Sequence, residues 1–350
     1  MVVGQQIWSD KVGNVSQLGG IETSVLDNGI GRGMRIAWIN TGSGFRFKVL
    51  IDRAMDIADA SINQYNLAWL NHAGFTTAQP LSDKGLDWLR TFGGGLVNTC
   101  GLTHVGGPEK DAFGERGIHG NYSNTPAEIV SIVQPDPAQG IMDMSITGII
   151  KESRIFGPSL ELRRTISATL GESTIRIHDK IINRGNTHVP HMILYHCNFG
   201  WPLADKGSRL IWKGRMFTRD GTDFPNADAF KICRDTLEAH NGSGEEVAMV
   251  DIEANDDGKC TCGIYNPTLE LAVALQFNKA QLPCLTNWQH FGKGEYVTGI
   301  EPGSHYPIGQ SKARENGTLI FIAPGESVQY DLSIQAIQGN TAIEKIFTDY

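Results

Sequence analysis

The chain has 350 residues, with 30 Lys plus Arg against 38 Asp plus Glu and a net charge of −8 at neutral pH. An acidic chain with scattered basic residues lacks the clustered cationic surface that a nucleic acid needs. No stretch reaches about eighteen uninterrupted apolar residues, and the start, MVVGQQIWSDKVGNV, has no basic region followed by an apolar one, so neither a membrane span nor a secretory signal is expected.

Most of the sequence alternates with period two and is broken by Gly, Asn, Asp and Pro every eight to twelve residues, as antiparallel strands require. The stretch GMRIAWINTGSGFRFKVLIDRAMDIADASI predicts three strands, with turns at Asn40 to Gly44 and around Arg53 to Asp56. A helix is predicted over Ser82 to Leu89, followed by Gly93-Gly94-Gly95. Those glycines match neither nucleotide-binding fingerprint, so they read as backbone lining a pocket, and no nucleotide cofactor is expected. SLELRRTISATLGESTIRIHDKIINRG predicts a β-hairpin with Leu160, Leu162 and Ile166 on one side and Ile175 and Ile177 on the return. TLELAVALQF, EYVTGIE and GTLIFIAPGESVQYDLSI each predict a strand or a hairpin, the last turning at Pro324-Gly325. No linker or repeat divides the chain. Residues 1–350 are therefore expected to form one large all-β domain of packed, curved antiparallel sheets with a few short helices.

The six cysteines are irregularly spaced, without Cys-x-x-Cys, and read as reduced thiols of a cytoplasmic protein. Cys260-Thr-Cys262 has no second ligand pair and reads as two thiols on one strand face. His188-x-x-His191 with His196 resembles a ligand cluster, but on a strand residues three apart point to opposite faces, and no metal is expected there. Strand parity puts Met192, Leu194, His196 and Asn198 on one face, so an imidazole and an amide project together and suit a proton donor. A buried histidine satisfied by a backbone carbonyl is the competing reading. Glu301 follows the alternation of Tyr296 to Ile300 and is halted by Pro302-Gly303, a strand mouth where partial desolvation raises a carboxyl pKa toward the range of a general base. Trp288 beside Gln289 offers an aromatic plane and an amide, a pairing suited to sugar CH faces and hydroxyls, though Trp288 equally fits a core.

The stretch LELRRTISATLGESTIRIHDKIINRGNTHVPHMILYHCNFGWPL, with YVTGIEPGSHYP and APGESVQYDLSI, resembles the galactose mutarotase-like superfamily, the aldose 1-epimerases. The resemblance covers about residues 30 to 337; WLRTFGGGLVNTCGL and GIHGNYSNTPAE further resemble a branch with no assigned sugar. It implies a β-supersandwich that interconverts the α and β anomers of a small carbohydrate without a cofactor. It also implies Glu301 as general base and His196 as general acid, His119 on the ring-oxygen side, and Arg90 or Arg53, with Asp56, steadying the hydroxyls. Asn198, Trp288 and Gln289 complete the expected binding set. Hexose mutarotases read Asn-His-Pro-Tyr-Phe where this chain has Tyr195-His196-Cys197-Asn198-Phe199, and Asn121 stands where the branch often carries Arg, which weakens a claim for an acidic sugar. The family's mid-chain aspartate is unassigned among Asp205, Asp220 and Asp223. Two other readings stay open on this scaffold: a non-catalytic carbohydrate-binding protein, and a keto-sugar isomerase or lyase.

Overall fold

A computed structural model describes residues 11–348. Its strands form three large antiparallel sheets. One, of five strands, runs through Gly20–Val25, Arg35–Asn40, Phe45–Leu50, Asp56–Ile62 and Tyr65–Asn66, so the three strands predicted between residues 33 and 62 are present with their turns. A second, of eight strands, carries the predicted hairpin as Ser159–Thr169 and Thr174–Asn183, with Leu160 opposite Asn183 and Ser167 opposite Arg176. Gly171, at φ 87°, makes the turn between them, a conformation that costs other residues a Cβ clash. The third sheet, of seven strands, has Cys284–Gly292, Glu295–Gly303 and Val189–Gly200 as successive neighbours, and Asn98–Leu102 pairs onto the last of these. The all-β reading is therefore correct.

Two details differ from expectation. Ile320–Ile322 and Ser327–Gln338 do not form a hairpin: the first pairs with Val189–Gly200 and the second lies between Leu271–Asn278 and Thr174–Asn183. The Pro324-Gly325 turn thus carries the chain from one sheet to another. The helix predicted over 82–89 is only Trp88–Thr91, because Gly85 at φ 47° breaks the earlier turns.

Period two decides what each face of Val189–Gly200 meets. Ile193, Tyr195, Cys197 and Phe199 enter the main core between the sheets, while Met192 and Leu194 join Trp69, Trp88, Phe92, Cys100 and Val297 in a separate cluster. The core face is pinned by a buried ionic network. The Arg164 guanidinium donates to both Asp179 oxygens (2.9 and 2.7 Å), to Asp56 (3.1 Å), to the Thr99 hydroxyl (2.9 Å) and to the Ala54 carbonyl (3.1 Å). Tyr195 donates to Asp179 at 2.7 Å. A charge set this deep is tolerable only because nearly every donor is matched. The network fixes the strand whose opposite face bears His196. Cys260 and Cys262 are both buried, and all six cysteines are free thiols.

Candidate active site

Several chain segments converge on a cavity of about 600 Å³. Val189–Gly200 supplies His196; Glu295–Gly303 supplies Glu301; Cys284–Gly292 supplies Thr286, Trp288 and His290 at alternate positions; and the Trp88–Thr91 helix with its C-terminal neighbour supplies Trp88 and Phe92. His196 Nε2 lies 3.1 Å from Glu301 Oε1, and the two residues are 5% and 2% exposed. Glu301 is not at a strand mouth. The strand continues through Pro302, opposite Leu285, to Gly303, and the carboxyl sits inside the cavity wall.

The pair fits because residue 299 is glycine: a Cβ there would come within 2.6 Å of Glu301 Oε1 and 3.2 Å of His196 Cε1. Aromatic rings enclose the imidazole, with centroids at 5.3 Å for Phe92, 5.5 Å for Trp288 and 6.2 Å for Trp88. Such surroundings penalise charge. Burial lowers the His196 pKa from 6.5 to about 4, against a smaller opposing effect of the Asn198 amide. Burial, and then the Glu245 carboxylate, push Glu301 well above the ordinary carboxyl range. His119, held at φ 58° between Gly117 and Gly120, lies 4.9 Å from Trp88 and 6.3 Å from His196, ring to ring. Its pKa falls to about 3, through burial first and the His196, His104 and Arg219 charges after it, so it is a neutral hydrogen-bonding group. Buried His119 Nδ1, His196 Nδ1, Glu301 Oε1 and Thr286 Oγ1 have no hydrogen-bond partner among the described residues. Native interiors leave few such atoms.

The other expected residues lie elsewhere. Arg53 is buried away from the cavity and donates to the backbone carbonyls of Ser123, Thr76 and Thr91, tying three loops together. Asp56 belongs to the Arg164 network and accepts from the Thr99 N–H at 3.1 Å. Arg90 points to solvent on the far side of the short helix that turns Trp88 inward. Gln289 has the parity opposite to Trp288 and donates to the Phe230 carbonyl, and Asn198 donates to Gly95 O and His196 O behind the His196–Glu301 pair. Asp205, Asp220 and Asp223 do not line the cavity. Arg219, Glu245 and Glu295 do, as do Thr286 and His290. The last two share the parity of Trp288 and could have been found that way; Arg219 and Glu245 come from loops that carry no periodic signal. Of the proposed histidine cluster, His191 is buried against Leu102 O and Tyr330 OH at 2.9 Å each, away from His196.

Comparison with known proteins agrees with the architecture. A family described as a domain of unknown function, DUF4432, matches residues 31–336. A solved candidate aldose 1-epimerase from Klebsiella pneumoniae superposes with a TM-score of 0.84 at 22% identity, covering 96% of this chain and 89% of that one. A galactose mutarotase-like protein from Clostridium acetobutylicum gives 0.61 at 12%, covering 91% and 98%. A galactose mutarotase related enzyme from Lactobacillus acidophilus gives 0.57 at 12%, covering 85% and 95%. No curated protein matches. The chain belongs to the DUF4432 family and has the galactose mutarotase-like fold.

Proposed function

We propose that the protein is an aldose 1-epimerase acting on a free sugar or sugar derivative, with Glu301 and His196 as its proton-transferring pair. The observation that carries this reading is their 3.1 Å contact inside an aromatic cavity. Mutarotation needs one proton taken from the anomeric hydroxyl and one given to the ring oxygen, and both oxygens sit on the same carbon, so acid and base must lie close together. When Glu301 takes the first proton and protonated His196 gives up the second, the C1–O5 bond breaks. The pair is left as neutral carboxylic acid and neutral imidazole, facing an open-chain aldehyde. Rotation about C1–C2 and the reverse transfers close the ring on the other face.

In water a proton shared between a carboxylate and an imidazole rests on the imidazole. Here burial lowers the imidazole and raises the carboxyl, which brings the neutral pair to comparable or lower energy. The two forms contain the same number of protons. Each positioned transfer contributes about 10²–10⁴-fold to rate. Trp288 and Trp88 offer planes for the sugar's CH faces, and neutral His119 a hydrogen bond on the ring-oxygen side. Arg219 takes the hydroxyl-steadying part expected of Arg90. The free cysteines, five of them buried, fit a reducing compartment, and we infer a cytoplasmic location.

The test is magnetisation exchange by NMR between anomers across a panel of aldoses, with His196→Ala and Glu301→Gln as variants. A fall of at least a hundredfold in both is expected. Exchange unaltered in both variants would remove the proposed roles, sugar binding without exchange above the spontaneous rate would make the protein a carbohydrate-binding protein, and deuterium uptake at carbon from heavy water would make it a keto-sugar isomerase or lyase.

A further inference from the structure

The cavity's outer end carries a second group of side chains that proton transfer does not use. The strands Cys284–Gly292 and Glu295–Gly303 are joined by Lys293-Gly294, which brings His290 and Glu295 together at the end of the hairpin. His290 Nδ1 lies 3.5 Å from Glu295 Oε2, and His240 Nδ1, from a loop, lies 3.8 Å from the same oxygen. All three donor atoms fall within 4.8 Å of one another.

The donors' surroundings point to a cation. His290 Nε2 faces the Ser243 carbonyl at 3.1 Å, and an N–H on that nitrogen can donate to it. Its Nδ1 lone pair is then turned toward two oxygens of Glu295, the carboxylate and the backbone carbonyl at 3.2 Å. A lone pair aimed at two oxygens is repulsive, and the repulsion is relieved by a cation between them or by a second proton on the ring. An imidazole that gives its other N–H to a carbonyl is also how metal-binding histidines are oriented. His240 has the same arrangement, Nε2 toward Lys293 O at 3.4 Å and Nδ1 toward Glu295. The Gly242 N–H that reaches His240 Nδ1 at 3.1 Å belongs to an exposed loop and can turn to water when an ion takes that lone pair. Both rings pack edge to face, 4.7 Å apart, over Gly292, where a Cβ would come within 2.6 Å of His290 Cε1 and 2.7 Å of His240 Nε2. Metal–ligand bonds of about 2.0–2.1 Å place tetrahedral ligands about 3.3 Å apart, so each histidine must move about half an ångström or less toward Glu295, and the set as a whole must contract by up to about 1.5 Å.

We propose that His240, His290 and Glu295 form a binding site for a divalent cation of the zinc class. Two imidazoles and one carboxylate leave a coordination position open, and His290 and Glu295 both line the cavity, so that position faces the ligand. His290 is four residues along its strand from Thr286, which pairs with Glu301, or about 13 Å. The ion is therefore too distant to act on the anomeric carbon. It serves as a handle for an oxygen at the far end of an extended sugar ligand, and this role, unlike the binding of the ion, rests on the function proposed above.

The experiment uses untagged protein stripped with EDTA and titrated with Co²⁺, with Zn²⁺ as competitor. One ion per chain with the visible absorption of tetrahedral Co²⁺ is expected. Glu295→Gln and His240→Ala should each weaken binding at least tenfold, while His178→Ala, an exposed histidine paired with Asp331 on the eight-stranded sheet, should leave it unchanged. Circular dichroism checks that the variants are folded; for one that is not, the rise of wild-type Tm with Zn²⁺ is the substitute reading. Absence of a stoichiometric ion, or equal affinity in both variants and wild type, would overturn the proposal and identify His290 as a protonated bridge between two carbonyls. Neither result depends on whether anomers are exchanged.

Discussion

The charge state of His196 is open to direct measurement without knowing the sugar. Its pKa falls from 6.5 to about 4 through burial among Trp88, Phe92 and Trp288, which corresponds to about 3.4 kcal/mol against the charged ring. Protein labelled with ¹⁵N at histidine, followed by long-range ¹H–¹⁵N correlation between pH 3.5 and 8, reports protonation ring by ring. His196 should stay neutral down to about pH 4. Glu301→Gln should move the midpoint little, because the carboxyl is itself protonated where the ring titrates, whereas Asn198→Ala should lower it. In a sugar assay the acid limb of kcat/KM should fall at the same pH, since below it the pair holds two protons and nothing can accept one. A His196 midpoint near 6.5 would refute the reasoning: the ring would then be solvated and the aromatic enclosure irrelevant to proton transfer.

Three further outcomes follow from the same coordinates. Gly299→Ala should separate the pair, since its Cβ needs the space of Glu301 Oε1, and anomer exchange should fall at least tenfold with Tm nearly unchanged; an unaltered rate would mean the contact is dispensable. Arg164→Met strands the Asp56 and Asp179 carboxylates in the core and should cost about 3–5 kcal/mol in urea unfolding at pH 8, a loss that shrinks once Asp179→Asn is added. His191, whose folded pKa is about 3, binds no proton where the unfolded chain does. Its contribution to stability is therefore complete above pH 6.5 and decreases as the pH falls, by about 2 kcal/mol at pH 5. His191→Gln should flatten that part of the stability–pH curve, and equal slopes for variant and wild type would contradict the assignment.

What could be read from sequence follows from where the physics is local. Alternation at Leu160 to Ile177 and at Met192 to Asn198 fixes strand faces within a few residues; His196 lines one cavity together with Trp288, which lies on another strand. Parity argues equally well against Gln289, whose neighbour Trp288 faces the other way, yet adjacency in sequence favoured it. Arg53 and Arg90 carry the right chemistry in the wrong place: one guanidinium is used up on three backbone carbonyls and the other is in water. Their fates depend on loop packing that no periodicity encodes. The same holds for Arg219 and Glu245, and for the meeting of His240 with a hairpin end some fifty residues later. Pro302 read as a strand stop because proline lacks an N–H, but the chain needs no donor there and the ladder runs on to Gly303.

The position of Ser327–Gln338 constrains how the molecule is made. This stretch lies in the middle of the eight-stranded sheet, between strands that precede it by dozens of residues and by about a hundred and fifty. During synthesis the two halves of that sheet emerge first, each with a bare hydrogen-bonding edge, and they stay unjoined until Ser327–Gln338 has been made. Ending translation even a dozen residues before Ser327 would therefore yield two unfinished half-sheets prone to self-association.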